Sequence, residues 1–261
     1  MSTFSTSLSQ PSSNSKLKNL VWQFKHNPKR ELWLAWYTII VFYNIFGIVF
    51  FGVTRTQPPP PPWWDFVQIG QWFDKHRIGL LAGFGIMFFM GPIVTASTAL
   101  ITYSMRRMSV SPAYAYTYLL LYSLAAVPGM LITCIVLVTG AMRPERDPAL
   151  VATLYDIGFL AFSGTMGIFL IGSVIWGVAI LLDKNKVLPT WFGYFNICNA
   201  LTEVVVATCC IYKEGPFAWN GAIAFYINFV VFGIYTGVFI TYLKIMIEKE
   251  DPEIDYLPNQ A

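Results

Sequence analysis

Long uninterrupted runs of apolar residues dominate the chain, and polar residues collect in the short stretches between them. The six runs cover residues 32–53, 78–104, 113–140, 157–182, 189–212 and 221–247. Each reaches the ~20 residues that an α-helix needs to cross a hydrocarbon core. Transmembrane β-strands would instead be about 10 residues long, with alternating polarity. The pattern therefore predicts an all-α fold, a six-helix transmembrane bundle.

The stretch between the first two runs contains five consecutive prolines, residues 58–62. Such a sequence predicts a polyproline II rod, which rises about 3.1 Å per residue and has no internal hydrogen bonds. Two tryptophans follow, and beyond them Phe66, Ile69 and Phe73 recur at helical spacing. We therefore predict that the rod leads into a short amphipathic helix at the membrane surface, where indole rings are common.

A second amphipathic pattern lies before the first run, where Leu17, Leu20, Val21 and Phe24 recur at helical spacing among lysines. It predicts a short interfacial helix on an anionic membrane surface, the alternative being a frayed basic tail. The predicted domains are a disordered Ser/Thr-rich tail over residues 1–15, one transmembrane domain over residues 16–250 and a C-terminal tail over residues 251–261.

Composition strengthens the membrane assignment. Charged residues make up 12% of the chain and hydrophobic residues 56%, whereas soluble domains carry about 25% charged residues. All charged residues except Glu203 and Lys244 lie outside the six runs. This composition excludes fibrous, disulfide-stapled and nucleic-acid-binding proteins, so we expect the lipid bilayer as a partner and no nucleic acid.

Lysines and arginines predict the orientation of the bundle. If the N-terminus is cytoplasmic, the inside holds Lys16, Lys18, Lys25, Lys29, Arg30, Arg106, Arg107, Lys184, Lys186, Lys244 and Lys249. The outside then holds Arg55, Lys75, Arg77, Arg143, Arg146 and Lys213. Because basic residues concentrate on the cytoplasmic side, we predict a multi-pass protein of the plasma (inner) membrane with both termini cytoplasmic.

Small residues four positions apart predict close helix packing, because they let helix backbones approach within a membrane. The pairs are Gly79/Gly83, Ala125/Gly129, Ser163/Gly167, Ser173/Gly177 and Gly233/Gly237. We expect them to serve packing within one chain rather than dimerisation.

Glu203 is the one acidic residue deep within an apolar run. Asn196, Asn199 and Glu203 are spaced i, i+3 and i+7, which places them on one helical face. Asn228 and Asn44 lie at the same depth as Glu203, ~12–14 Å from the outer ends of their runs at 1.5 Å per residue. Because a buried intramembrane carboxyl is a functional candidate, we predict a ligand-binding polar pocket formed by Glu203, Asn199, Asn228 and Asn44. The alternative is that these groups only hydrogen-bond the helices together.

No catalytic constellation is visible in the sequence. The two histidines, His26 and His76, fall on opposite sides of the predicted membrane, which excludes a haem held by two intramembrane histidines. The chain has no Cys/His cluster at zinc spacing and no phosphate-binding glycine loop followed by Lys and Ser/Thr. We therefore expect no catalytic residue, no cofactor and no metal, and an enzyme is the least favoured class.

The segment from Tyr155 to Leu182, followed by Leu188-Pro189-Thr190-Trp191-Phe192-Gly193, resembles part of uncharacterised six-pass bacterial membrane proteins common in actinobacteria. Those proteins combine a long glycine-rich span, a short basic turn and an L-P-x-W-x-G motif at the start of the next span. The resemblance lies mainly in residues 155–194 and implies a six-helix integral membrane protein, without an activity or a ligand.

We expect a non-enzymatic membrane protein that binds or transports a small apolar or lipid-like molecule through the pocket around Glu203. The alternative is a structural or accessory subunit of a larger membrane complex, with a membrane-protein partner docked on its glycines and its aromatic loop.

Overall fold

The computed structural model describes residues 24–250, and over that range the protein is helical without a β-strand. The predicted tails lie outside the described residues, as does almost all of the N-terminal amphipathic helix. The six helices are α1 (Arg30–Val53), α2 (Phe66–Arg106), α3 (Pro112–Met142), α4 (Pro148–Leu182), α5 (Thr190–Val206) and α6 (Ala222–Lys249). Below, "polyproline end" means the end of the bundle that carries residues 54–65, and "terminal end" means the end that carries Arg30 and Lys249.

Five of the six helices are long and apolar enough to cross a membrane, so the chain is a multi-pass membrane protein. The exception is α5, which has 17 residues before a 3-10 turn over Ala207–Cys210. Its shortness and its polar residues Asn196, Asn199 and Glu203 set it apart from the other five. The prediction of six helices is confirmed, and five of them meet the length and hydropathy of a membrane span.

The amphipathic helix predicted as a separate element is instead the first part of α2. This helix runs for 41 residues, with a π-helical segment at Leu80–Phe84 and a 3-10 segment at Gly91–Val94, and would be about 61 Å long at 1.5 Å per residue. It begins with a capping box in which Asp65 and Gln68 satisfy each other's backbone N–H groups. The charged residues 74–77 separate the apolar face from the apolar run in the sequence, but they include no proline, so nothing there ends the helix.

The start of α4 matches its prediction. Asp147 caps the helix, since its side chain accepts a hydrogen bond from Ala149 N at 3.0 Å, and Pro148 occupies the first helical position. The first turns of α4 pack against the first part of α2, where a Cβ on Gly70 would lie 3.1 Å from the Pro148 side chain. The two longest helices therefore support each other at the polyproline end.

Small residues bring several helix pairs into close contact, as predicted. A Cβ on Gly79 would lie 2.3 Å from the Thr54 carbonyl oxygen, and one on Gly177 would lie 2.8 Å from the Gly193 carbonyl oxygen. Gly233 and Gly237 differ, because an added Cβ would meet nothing within 4 Å at either position. The last predicted pair therefore packs against no part of the described chain.

Buried apolar side chains form two clusters, one in each half of the bundle. The terminal-half cluster includes Leu100, Trp176, Phe192, Leu243 and Ile247. The polyproline-half cluster includes Phe50, Phe73, Leu80, Tyr155 and Trp219. The halves also differ in helix geometry, because the polyproline-half portions of α1, α2, α3 and α6 each contain a π-helical segment: Ile48–Val53, Leu80–Phe84, Val127–Ile132 and Ala222–Ile227.

Candidate functional site

The polar residues of α5 lie on its buried face, as their spacing predicts. Asn196, Asn199 and Glu203 are all buried, whereas Leu201 and Val204 on the opposite side are exposed. A polar side chain inside a membrane bundle destabilises the fold unless it is hydrogen-bonded. The hydrogen bonds of each side chain therefore indicate its role.

Asn196 has partners for both ends of its amide. Its Nδ2 donates to the Phe192 carbonyl oxygen at 2.7 Å, and its Oδ1 accepts a hydrogen bond from the Tyr235 hydroxyl at 2.7 Å. The second bond joins α5 to α6 in the terminal half. Asn196 therefore ties two helices together.

Glu203 and Asn199 are not satisfied in this way. Glu203 Oε2 and Asn199 Oδ1 are buried and have no hydrogen-bond partner. Asn228, which directly follows the π-helical segment of α6, approaches the Glu203 carboxyl. The Oδ1 atom of Asn228 is likewise buried without a partner. Three oxygens that accept hydrogen bonds are thus unpaired, on facing parts of α5 and α6.

Asn44 does not join this group. Its side chain is exposed on α1, and its Nδ2 donates to the Ile40 carbonyl oxygen of the same helix at 2.8 Å. The prediction for Asn44 used depth alone, and depth does not determine which way a residue faces around the helix axis. The buried polar group therefore consists of Glu203, Asn199 and Asn228.

A cluster of tyrosines lies beside Glu203, and sequence reasoning missed it. It comprises Tyr43, Tyr118, Tyr122 and Tyr235, from α1, α3 and α6. The Tyr118 and Tyr122 rings stack with their centroids 4.3 Å apart, and Tyr122 and Tyr235 approach both Glu203 and the Ser173 hydroxyl. The available signal was position, because tyrosine is usually enriched at the membrane–water interface and these residues lie within the spans.

Room for Tyr122 comes from a glycine of α4. A Cβ on Gly172 would lie 2.1 Å from Tyr122 Cε2, so no other residue fits at position 172 unless the ring moves. This glycine lets an aromatic ring reach the Ser173 hydroxyl in the middle of the bundle, next to the carboxyl of Glu203. The tyrosine cluster is therefore an aromatic group in the interior of the bundle, within electrostatic range of Glu203.

A cavity of about 60 Å³ lies in the polyproline half, beneath the proline segment. Its walls are mostly apolar and include Phe84, Leu137 and Phe162, while Pro59 and Pro60 close it from above. Neither Glu203 nor Asn199 lines this cavity. The polar group and the cavity are thus two separate features of the polyproline half.

A side-chain hydrogen bond anchors the proline segment to the loop before α6. Trp219, in this loop, donates from Nε1 to the Pro60 carbonyl oxygen at 2.7 Å. Pro59 and Pro60 are buried, so the proline segment lies on the bundle rather than standing away from it. Below it, the hydroxyl of Tyr155 lines the cavity and has no hydrogen-bond partner.

Between residues 24 and 250, no three His, Cys, Asp or Glu side chains come close enough to hold a metal ion together. Comparisons of the chain with protein-family models, with curated proteins and with solved structures find no match.

Proposed function

We propose that this protein binds, and moves through its membrane, a small apolar or lipid-like molecule whose polar head contacts Glu203, Asn199 and Asn228. The observation that carries the proposal is the set of three buried oxygens without hydrogen-bond partners. If these side chains served only to tie helices together, they would be paired in the way that Asn196 and Tyr235 are. A ligand that supplies hydrogen-bond donors would satisfy them.

The chemistry of the three oxygens narrows the ligand. An amide oxygen only accepts hydrogen bonds, and an ionised carboxylate does the same. The complementary head group is therefore a donor, an amine or a hydroxyl, and an ammonium group would also neutralise the carboxylate. A fatty acid or a phosphate ester without a free donor would instead place acceptors against acceptors.

Access from the lipid supports an apolar ligand body. Ile227, the residue directly before Asn228 on α6, is exposed. In the most apolar 18-residue stretch of α6 only 17% of the residues are buried, compared with 39% in the corresponding stretch of α4. A loosely packed helix beside unpaired polar groups gives an amphipathic molecule a route from the bilayer to Glu203.

The test compares three probes that share one chain length, namely dodecylamine, dodecanol and dodecanoic acid. We expect the amine and the alcohol to raise the thermal stability of the protein in nanodiscs, and the acid to have little effect. Glu203→Gln should weaken amine binding about 10- to 100-fold, because a hydrogen bond to a charged group contributes about 1.5–3 kcal/mol. The matched control is Glu248→Gln, which changes an exposed carboxylate near the terminal end.

Equal responses of Glu203→Gln and the wild-type protein to all three probes would refute the proposal. The choice of membrane belongs to the same proposal: we place the protein in a bacterial plasma membrane with both termini cytoplasmic. The support is the excess of lysine and arginine on the terminal end, and cysteine labelling from either side of intact cells tests it.

The second candidate function is an accessory subunit of a larger membrane complex, and one observation favours it. Gly233 and Gly237 lie open on α6 beside the exposed side chains of Phe232 and Ile234. Such a surface suits close approach of a partner helix. Gly237→Leu should then release a co-purifying membrane protein, while Gly85→Leu, at another open glycine, should retain it. Loss of probe binding in Glu203→Gln without any partner would favour the first candidate.

A further inference from the structure

A second site lies at the polyproline end, where the first part of α2 meets the start of α4. Side chains of these helices and of the loop between α3 and α4 enclose a pocket of about 140 Å³. That is roughly ten times the 10–15 Å³ that one water molecule needs. The pocket lies on the part of α2 that precedes the predicted apolar run from residue 78, so it is outside the most apolar part of the bundle.

Three arginines converge on this pocket. Arg77 comes from α2, and Arg143 and Arg146 come from the loop between α3 and α4. Asp74 is the one acidic residue in the lining, so the formal charge of the pocket is +2. A concentration of positive charge in a concave site attracts anions and raises their local concentration.

The guanidinium groups are not used by the described part of the chain. Within residues 24–250, no carboxylate lies within 4.0 Å of the side-chain nitrogens of Arg77, Arg143 or Arg146. The Nε atom of Arg146 is buried and has no hydrogen-bond partner. A buried charged donor without a partner is costly, which indicates that something outside the described chain satisfies it.

The walls of the pocket are held in place by the fold. A Cβ on Gly140 would lie 2.8 Å from Phe73 Cε1, and one on Gly70 would lie 3.1 Å from the Pro148 side chain. Asp147 caps α4 directly after Arg146. These contacts hold in place the two helices and the loop that carry the three arginines.

We propose that this pocket binds a phosphate group. The guanidinium fork matches two oxygens of a phosphate at once, and such bidentate charge-assisted bonds are among the strongest that side chains make. The phosphate comes either from the headgroup of an anionic phospholipid at this end of the bundle or from a soluble phosphate. The site is independent of Glu203, since none of its lining residues belongs to α5 or α6.

The experiment uses the full chain and separates the two sources. Native mass spectrometry measures retained phosphatidylglycerol against phosphatidylcholine, and thermal unfolding in neutral detergent measures protection by inorganic phosphate. The test variant is the double change Arg143→Gln and Arg146→Gln. The control removes the same charge through Lys75→Gln and Lys213→Gln, two exposed residues at the same end that do not line the pocket.

We expect the wild-type protein and the control to retain phosphatidylglycerol and the arginine variant to lose at least tenfold in retention. Protection by inorganic phosphate that depends on the arginines, without a preference for phosphatidylglycerol, would support the site with a soluble source. Equal lipid retention and equal phosphate protection in all three proteins would overturn the proposal, as would an equal loss in the control. Circular dichroism verifies that each variant keeps its helices, and Arg143→Gln alone repeats the test with a milder change.

Discussion

Two buried polar side chains of the terminal half are well hydrogen-bonded, whereas a group of buried polar side chains in the polyproline half is not. In the terminal half, Asp183 accepts four hydrogen bonds, and Asn196 is paired at both ends of its amide. In the polyproline half, Glu203, Tyr155 and Asn228 keep unpaired atoms. Some atoms of the terminal half, such as Trp176 Nε1 and Thr236 Oγ1, are also unpaired. The contrast therefore lies between the paired Asp183 and Asn196 and the cluster of unpaired acceptors around Glu203, where we propose that a ligand binds.

Helix geometry follows the same division. π-Helical segments are rare and occur frequently at functional sites, yet four of the six helices carry one in the polyproline half. Pro128 lies within one of them, where it removes a backbone donor from the regular ladder. The terminal half keeps mostly regular α-helices around Trp176 and Phe192. The irregular helix geometry therefore lies in the half that carries the proposed ligand-binding group.

The largest expected effect is a loss of stability when the hydrogen bonds to Asp183 are removed. Asp183 accepts hydrogen bonds from Ser109 N, Ser109 Oγ, Asn185 N and Val187 N. Asp183→Ala leaves these donors without their acceptor, at about 1–3 kcal/mol for each one that stays buried. We expect the free energy of unfolding in mixed micelles to fall by at least about 3 kcal/mol. Glu214→Ala, an exposed carboxylate at the polyproline end, should change it little, and equal effects would contradict the contrast.

A matched pair of tyrosines sharpens the comparison at smaller amplitude. Tyr235 donates a hydrogen bond to Asn196, whereas the buried Tyr155 hydroxyl has no partner. Tyr235→Phe should lower the free energy of unfolding by about 0.6–2 kcal/mol. Tyr155→Phe should leave it unchanged or raise it, because it removes an unsatisfied buried group. The same unfolding measurement serves both variants, and a larger loss from Tyr155→Phe would invert the expected order.

The smallest expected effect concerns the proline segment over the cavity. Trp219→Phe keeps the aromatic packing and removes the hydrogen bond to Pro60, which contributes about 1 kcal/mol. The readout is local: Cys134 lines the cavity and is buried, so it should react faster with a small thiol reagent once the segment is released. The exposed thiols are first removed by Cys198→Ser and Cys210→Ser, and an unchanged Cys134 rate would show that the bond does not hold the segment down.

The sequence allowed much of the fold to be predicted because membrane helices are determined by apolar length. The grouping of Glu203 with Asn228 was also predicted, because both lie at the same depth from the outer ends of their apolar runs. The exposed position of Asn44 could not be predicted, because depth in the membrane does not determine which way a side chain points around the helix axis. The length of α2 was missed because charge was interpreted as the end of a helix.

The features that only the structure reveals are assembled from distant parts of the chain. The tyrosine cluster draws four residues from three helices, and each one alone is ordinary in a membrane protein. The arginine pocket was hidden for a similar reason, because Arg77 and Arg146 are 69 positions apart in the sequence. Flanking arginines usually set orientation, and only tertiary packing shows that these three share one pocket.

The π-helical segment at the start of α6 also determines which face of the following helix, from Asn228 onward, points into the bundle. A π-helical turn holds more residues than an α-helical turn, so the stripe that faces the bundle on one side of Ala222–Ile227 is out of step with the stripe on the other side. Removing one residue from the segment would restore a regular helix and rotate its two sides against each other by about 100°. Asn228 and Tyr235 both lie beyond the segment. Such a deletion would therefore turn both side chains about the helix axis relative to the loop before α6, while it shortens the helix by only one residue.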